Sequence, residues 1–193
     1  MSATAMENKP HDRRIITVED YHRMAEEGLL NEDSRVELIE GEIIEMAPIG
    51  ISHNCAVDRL NERLVEAVAR RASVRVQGSF RLSNITEPQP DLILLKRRDD
   101  FYAHKFAAGD DTLLVVEVSD TTLRYDRNVK VPLYAKYGIP EVWIVDLENS
   151  RLHFFRSLTD GSYTSTSATA EPGLTGLPGL DGVGVDLSGL LEM

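Results

Sequence analysis

Hydrophobic and polar positions follow two different periods along the chain. Ala56, Leu60, Leu64 and Val68 recur at helical spacing, which predicts an amphipathic helix that ends near Arg71. Other apolar runs are short and continuous, as in strands that are covered on both faces. The pattern therefore predicts a sheet with buried central strands and at least one packed helix.

Capping and turn residues predict two further helices. Thr17 followed by Asp20 is close to a capping box, so a short helix should begin there and end near Gly28. The other helix should span residues 123–137, with Pro132 either kinking it or marking its true first turn.

Strands are predicted where short apolar or alternating runs are bounded by turn residues. A hairpin should form around Glu40 and Gly41, and two continuous apolar runs, 92–95 and 113–116, are typical of central strands. The predicted strands are 36–39, 43–46, 73–76, 79–82, 92–95, 113–116, 141–146, 151–156 and 162–165.

Length and composition are those of one folded domain, with 193 residues, 42% hydrophobic and 27% charged. Residues 1–14 are polar, which predicts a flexible leader before a single domain over residues 15–193. The tail from Glu171 carries several leucines and valines, so it should pack on that domain. The chain has no long apolar run, no secretory signal and one cysteine, Cys55. We therefore expect a cytoplasmic protein without a membrane span or disulfide.

The net charge of −11 argues against a tight non-specific nucleic-acid binder, because such proteins are usually basic. Carboxylates that bind a divalent cation are neutralised by it, however. The positive charges are also clustered, at Arg70–Arg71, Lys96–Arg98 and Arg124–Lys130. Weak or steered contact with a phosphate backbone therefore remains compatible with the composition.

The sequence lacks the motifs of P-loop NTPases, dinucleotide enzymes, G-x-S-x-G hydrolases and zincins. The candidate site residues are instead two acids at the ends of predicted central strands. Glu117 interrupts one apolar run, where an unpaired charge would be costly, and Asp91 opens the other. Magnesium prefers one or two carboxylates together with waters and phosphate oxygens, so these acids could share one ion. Alternatively, Glu117 pairs with an Arg or Lys and Asp91 caps a turn.

Several motifs resemble known nucleases. Pro90-Asp91 followed by Glu117-Val118-Ser119 resembles the PD-(D/E)XK nuclease signature. Over roughly residues 15–190, the chain resembles a family of bacterial proteins described as "putative restriction endonucleases". The matching stretches are Val36–Ile43, Ser52-His53, Glu87–Asp91, Val116–Asp120, Tyr125–Arg127 with Lys130, Tyr134-Ala135, Gly138–Trp143 and Asp146.

This resemblance implies an α/β fold with a restriction-endonuclease-like core, in which helices flank a mixed central β-sheet and the two acids lie near its middle. It also implies a metal-dependent endonuclease that hydrolyses phosphodiester bonds, with DNA as the expected partner. One or two Mg²⁺ or Mn²⁺ ions would be held by Asp91, Glu117 and the Val118 carbonyl.

The catalytic lysine departs from the general pattern. Ser119 occupies the position where the superfamily has a lysine, and in this family the lysine is on the following helix. Lys130 is therefore the expected catalytic lysine, with Lys136 as a weaker rival and a solvated helix residue as the alternative. The resemblance also places Glu37 at the edge of the site, unless it is an exposed strand residue. His53 would contact phosphate or water near the metal, or merely cap its helix.

Other classes of function are compatible with the same residues. A catalytically silent nucleic-acid-binding or structural protein that retains the nuclease fold is favoured by the acidic charge and the missing local lysine. A metal-dependent hydrolase of a phosphate ester outside nucleic acids would use the same site. Cleavage of both strands of a duplex would suit a homodimer.

Overall fold

The computed structural model describes residues 14–30 and 34–192. The predicted leader, residues 1–14, lies outside the described residues except for Arg14. Within those ranges, no helix is both long and apolar enough to cross a membrane. The helices are α1 (Val18–Glu26), α2 (Ile51–Val68), α3 (Leu123–Tyr125) and α4 (Val131–Lys136). The strands are β1 (Val36–Ile39), β2 (Glu42–Glu45), β3 (Ala72–Val76), β4 (Leu92–Lys96), β5 (Thr112–Ser119), β6 (Val142–Asp146), β7 (Arg151–Thr159), β8 (Ser162–Thr169), β9 (Leu174–Gly176) and β10 (Gly184–Asp186).

Six strands form one mixed sheet in the order β3-β4-β5-β6-β7-β8. The β5–β6 pair is parallel and its neighbouring pairs are antiparallel. The hairpin β1–β2 turns through Glu40 and Gly41, whose φ angles of 50° and 80° suit a two-residue hairpin turn. The predicted α/β class, with a mixed central sheet flanked by helices, is confirmed.

The central strands β4 and β5 bring two acidic positions together. Strand β5 is buried along its whole length, as the continuous apolar run predicted. The antiparallel register pairs Leu92 with Val116, so the start of β4 lies beside the carboxyl end of β5. Asp91, directly before β4, therefore comes next to Glu117 and Val118. The expectation that these acids lie on neighbouring central strands is confirmed.

Helices cover both faces of the sheet. Helix α2 and the C-terminal tail pack on the face that contains Val116 and Val118. Residues of α4 pack on the opposite face, which contains Val115. Because side chains alternate along a strand, Glu117 points to the same face as Val115. This acid consequently lies under the helical segment that carries Lys130.

The helix predicted over residues 123–137 is present but is not regular. A π-helical turn, Asp126–Lys130, connects α3 to α4, and the Val131 amide donates to the Asp126 carbonyl five residues earlier. Pro132, which lacks an amide hydrogen, lies in the first turn of α4, one of the two predicted alternatives. The two end residues of the π turn are buried and the three between them are exposed, so Asp126 and Lys130 are the residues of this turn that face the protein interior.

The strand predicted at residues 79–82 is wrong. The backbone amides of Phe80 and Leu82 donate to Pro88 and Thr86, whereas that of Arg81 donates to Ala107, so these residues do not pair with one neighbouring strand. Phe80 is fully buried in the core, so the apolar alternation here reflects core packing instead of sheet pairing.

The C-terminal tail packs on the domain, as its apolar residues predicted. Leu187 and Leu190 are fully buried in the same core as α2, whereas Leu174 is 80% exposed. Arg63 of α2 also donates to the Ser188 carbonyl at 2.9 Å. The tail is therefore part of the layer that covers one face of the sheet.

The packing of the tail predicts unequal effects of matched leucine truncations. Leu187→Ala should lower the free energy of unfolding by about 2–5 kcal/mol, because it leaves a cavity in the core. Leu174→Ala should change it by less than about 0.5 kcal/mol. Urea denaturation measures both, and equal small effects would show that the tail does not contribute to the core.

Candidate active site

A pocket of about 570 Å³ lies beside the carboxyl end of β5 and the start of β4. The β1–β2 hairpin, the segment leading into α2, the end of β5 and the π-helical turn all contribute to its walls. The predicted site residues that line this pocket are Glu37, His53, Asp91, Glu117, Val118 and Lys130.

Both carboxylate oxygens of Asp91 are held by protein groups. The Val118 amide donates to Oδ2 at 2.8 Å, and His53 Nε2 lies 3.0 Å from Oδ1. Because an ionised carboxylate only accepts, Nε2 carries the proton in this contact. The side chain thus ties the start of β4 to the end of β5, instead of capping a turn. His53 lies in the first turn of α2, whose N-cap is Gly50, so the helix-capping alternative for His53 is wrong.

Lys130 is a buried cation between two carboxylates. Its Nζ lies 3.2 Å from Glu37 Oε2 and 3.3 Å from Glu117 Oε1, and only 5% of the residue is exposed. Burial lowers the pKa of Lys130, but Glu117 and Glu37 more than offset this, so the pKa is raised. The alternative that Lys130 is a solvated helix residue is therefore wrong. The alternative that Glu117 pairs with an Arg or Lys is met by Lys130 itself.

Glu117 lies at the centre of this cluster. The Tyr134 hydroxyl donates to Glu117 Oε1 at 2.5 Å, the same oxygen that Lys130 contacts. Burial raises the pKa of Glu117 to about 8; Lys130 opposes this shift, while Asp126 and Asp91 add to it. Burial therefore outweighs the attraction of Lys130, and without a further cation Glu117 is largely protonated at neutral pH.

Glu37 completes the cluster from the β1–β2 hairpin. It is 2% exposed, so the alternative of an exposed strand glutamate is wrong. The Gln89 amide donates to Glu37 Oε2 at 3.2 Å, the oxygen that also contacts Lys130. Glu37 therefore links the hairpin to both the segment before β4 and the π-helical turn.

Sequence reasoning missed Asp126 as a member of the site. Asp126 is buried, lines the pocket and accepts hydrogen bonds from Ser119 at 2.7 Å and Thr122 at 2.6 Å. Ser119, at the third position of the nuclease signature, therefore holds this acid. The sequence signal that could have identified Asp126 is its position four residues before Lys130, a spacing that places two side chains on one face of a helix.

The aromatic residues divide between core and pocket. Trp143 and Tyr134 are fully buried, although the Tyr134 hydroxyl also reaches Glu117. Tyr125 lines the pocket, and its buried hydroxyl has no hydrogen-bond partner among the described residues. Burial raises the pKa of Tyr125 to about 12.

Two other basic segments lie outside the pocket. Lys136, the weaker candidate for the catalytic lysine, pairs with Glu40 at the surface at 2.5 Å. Lys96–Arg98 follows β4 at the opposite end of the strand from Asp91. Within that segment Arg98 pairs with Asp100 at 2.7 Å, as in a solvated loop.

The donor set fits magnesium or manganese better than zinc. Asp91 and Glu117 line one pocket, where the neighbouring acids add to the effect of burial in raising the pKa of Glu117, so a cation there would be favourable. Magnesium takes one or two carboxylates and completes its shell with water and phosphate oxygens. A closed zinc site needs more protein ligands, and no group of three or more His, Cys, Asp or Glu side chains suits a metal within residues 14–30 and 34–192.

The raised pKa of Glu117 predicts how stability depends on pH. The folded pKa of about 8 exceeds the ordinary 4.5, so the contribution of this proton is complete below pH 4.5 and is lost as the pH rises through 8. Glu117→Gln removes this dependence. In EDTA, the variant should gain stability over the wild type across this range, by at most about 1.4 kcal/mol per pH unit. Urea unfolding at several pH values measures the difference; a difference constant with pH would contradict the protonation of Glu117.

The position of Lys130 predicts a structural cost of removing its charge. Lys130→Met leaves the buried Glu37 without its cation and removes the charge that lowers the pKa of Glu117, so stability at neutral pH should fall by about 3–5 kcal/mol. Lys136→Met, which removes a surface ion pair, should cost less than about 1 kcal/mol. Thermal or urea unfolding compares the two. Equal effects would mean that the Lys130 ion pairs are not formed in solution.

Comparison with known proteins agrees with this architecture. A crystal structure titled as "a putative nuclease belonging to DUF820 from Anabaena variabilis" matches with a TM-score of 0.68 and 15% sequence identity, over 92% of this chain and 98% of that chain. This likeness shows the same fold. No curated protein matches the sequence. The model of the Uma2 family, described as "Putative restriction endonuclease", matches residues 18–188. The chain therefore belongs to the Uma2 family.

Proposed function

We propose that this protein is a metal-dependent nuclease that hydrolyses phosphodiester bonds in DNA. One observation carries the proposal: Glu37, Asp91 and Glu117 line a single pocket with the buried ammonium of Lys130. A purely structural ion pair needs one acid for one base. Here six Asp or Glu side chains and three Lys or Arg side chains line one pocket, which is an arrangement that suits a divalent cation and a phosphate group.

Asp91 and Glu117 would hold a Mg²⁺ or Mn²⁺ ion, together with the Val118 carbonyl. When bound, such an ion lowers the pKa of a water molecule and polarises the scissile phosphate. Asp91 is suited to this task because the Val118 amide and His53 fix the orientation of its carboxylate. Outer hydrogen bonds of this kind hold metal ligands in place.

Lys130 would stabilise negative charge as the phosphate is attacked. Its Nζ is oriented by Glu37 and Glu117, so no reorganisation is needed when the charge develops. The raised pKa of Lys130 keeps the ammonium protonated at neutral pH, which suits an electrostatic role and not that of a general base. Because Glu37 and Glu117 hold its Nζ in place, Lys130 on the helical segment could take the role of the lysine that the general nuclease pattern has on the strand.

Positive charge at the pocket would receive the phosphate backbone. Arg35 and Arg124 both line the pocket with the acidic residues. With a net charge of −11, the rest of the surface offers little general attraction for DNA. Recognition would therefore be concentrated at this one pocket.

The nuclease proposal predicts loss of cleavage on changing either metal-binding acid. Asp91→Asn and Glu117→Gln should each reduce the rate of DNA cleavage in Mg²⁺ or Mn²⁺ by about 10²-fold or more, since each removes a charge at the metal. Calorimetric titration should show weaker metal binding by both variants. The matched control is Lys136→Met, whose side chain lies outside the pocket, and it should cleave at the wild-type rate.

Two outcomes would contradict the proposal. Equal metal affinity of the wild type and both acid variants would remove Asp91 and Glu117 from the metal site. Metal binding without cleavage of any DNA or RNA would instead favour a catalytically silent protein, or a hydrolase of other phosphate esters.

A further inference from the structure

The pocket has an apolar wall that the proposed reaction does not use. The apolar residues from β2 and the segment between β2 and α2 that line it are Ile44, Met46, Ala47, Pro48 and Ile49, and Glu45 lies among them. Metal binding and attack on a phosphate require none of these side chains. The acids and this wall border the same pocket. A molecule whose phosphate binds at the acids would therefore have its adjoining atoms near the wall.

The size of the pocket limits what can enter it. A volume of about 570 Å³ lies within the ~300–1,000 Å³ of sites that enclose small molecules. A paired base is stacked inside the duplex and shows only its edges in the grooves. A base inside a pocket of this size could therefore contact its apolar wall only if that base is unpaired, as in enzymes that extrude a nucleotide or act on single strands.

An aromatic ring is also present at the pocket. Tyr125 follows β5 and lines the pocket, whereas the apolar wall precedes α2, so the two come from different chain segments. Its ring is half-buried, and its hydroxyl has no hydrogen-bond partner among the described residues. Stacking on aromatic rings is the usual way in which proteins hold single-stranded bases, and it tolerates any base sequence.

Charge favours the same kind of substrate. A duplex is held mainly by many phosphate contacts, and a net charge of −11 opposes a large contact surface of that kind. One unpaired nucleotide needs only local positive charge, which Arg35 and Arg124 provide at the pocket, and its base gains from apolar burial.

We propose that the pocket admits one unpaired nucleotide, with its phosphate at the acids and its base against the 44–49 wall. The substrate class is therefore single-stranded or locally unpaired nucleic acid. This inference rests on the proposed nuclease function for its phosphate position, but the preference for an unpaired strand can be measured as binding alone.

The test compares binding of one fluorescein-labelled DNA strand, alone and annealed to its complement, by fluorescence anisotropy in Ca²⁺. Each strand is checked for integrity on a gel afterwards. The single strand should bind about tenfold more tightly than the duplex, and a duplex with a central unpaired gap should bind like the single strand. Equal or tighter binding of the intact duplex would overturn the inference.

A matched pair of variants locates the base. Met46→Ala combined with Ile49→Ala should weaken single-strand binding about tenfold and leave duplex binding unchanged. Ile51→Ala is the control, because Ile51 is 90% exposed and does not line the pocket. Circular dichroism checks that each variant is folded. An unchanged single-strand affinity in the folded double variant would show that the wall does not contact the base.

Cleavage distinguishes this inference from the proposed function. If single strand and duplex bind equally but Asp91→Asn abolishes cleavage of both, the nuclease proposal stands and the inference about unpaired strands is wrong. If the single strand is bound selectively through Met46 and Ile49 but no strand is cleaved in Mg²⁺ or Mn²⁺, the nuclease proposal fails and the binding inference stands.

Discussion

The buried ammonium of Lys130 is the interaction on which the rest of the site depends. Glu37 and Glu117 are each almost fully buried, and a carboxylate in such a place is costly unless a cation compensates it. Lys130 contacts both acids and so joins the β1–β2 hairpin, the central strand β5 and the helical segment after it. Three separate parts of the chain are thereby fixed around one charge, and the pocket is the space that remains beside them.

The backbone is adapted to this one contact. The π-helical turn ends two residues before Pro132. Proline has no amide hydrogen to donate within a regular helix, so the helix is interrupted at this point. Turns of this type often occur at functional positions, because they change which side chains face inward. Here both Asp126 and Lys130 face the interior, and Ser119 and Thr122 satisfy the acid by hydrogen bonds. The π turn that carries Lys130 is thus connected, through Asp126, to Ser119 at the third signature position on β5.

Much of this arrangement could be predicted from the sequence, because the signals were local. An acid within an apolar run marked Glu117, and an acid before a second run marked Asp91. The resemblance to a nuclease family supplied Lys130, Glu37 and His53. The role of Asp126 could not be read in this way, because it depends on a π turn that hydrophobic periodicity does not reveal. The error at residues 79–82 has a similar cause: a core residue such as Phe80 alternates like a strand residue, but the backbone of this segment bonds partly to the nearby residues 86–88 and partly to the distant Ala107.

The charge balance of the cluster connects its stability to its proposed chemistry. A protein selected only for stability would match each buried acid with a base or replace the group by apolar residues, which is often neutral or stabilising. This cluster instead keeps Glu37, Glu117 and Asp126 around one lysine, and burial together with the neighbouring acids raises the pKa of Glu117, so that it holds a proton that it would release at an ordinary pKa. A bound cation and this proton would compete for the same negative charge. The destabilising excess of acids in the metal-free protein is therefore the same feature that would give a divalent cation its affinity.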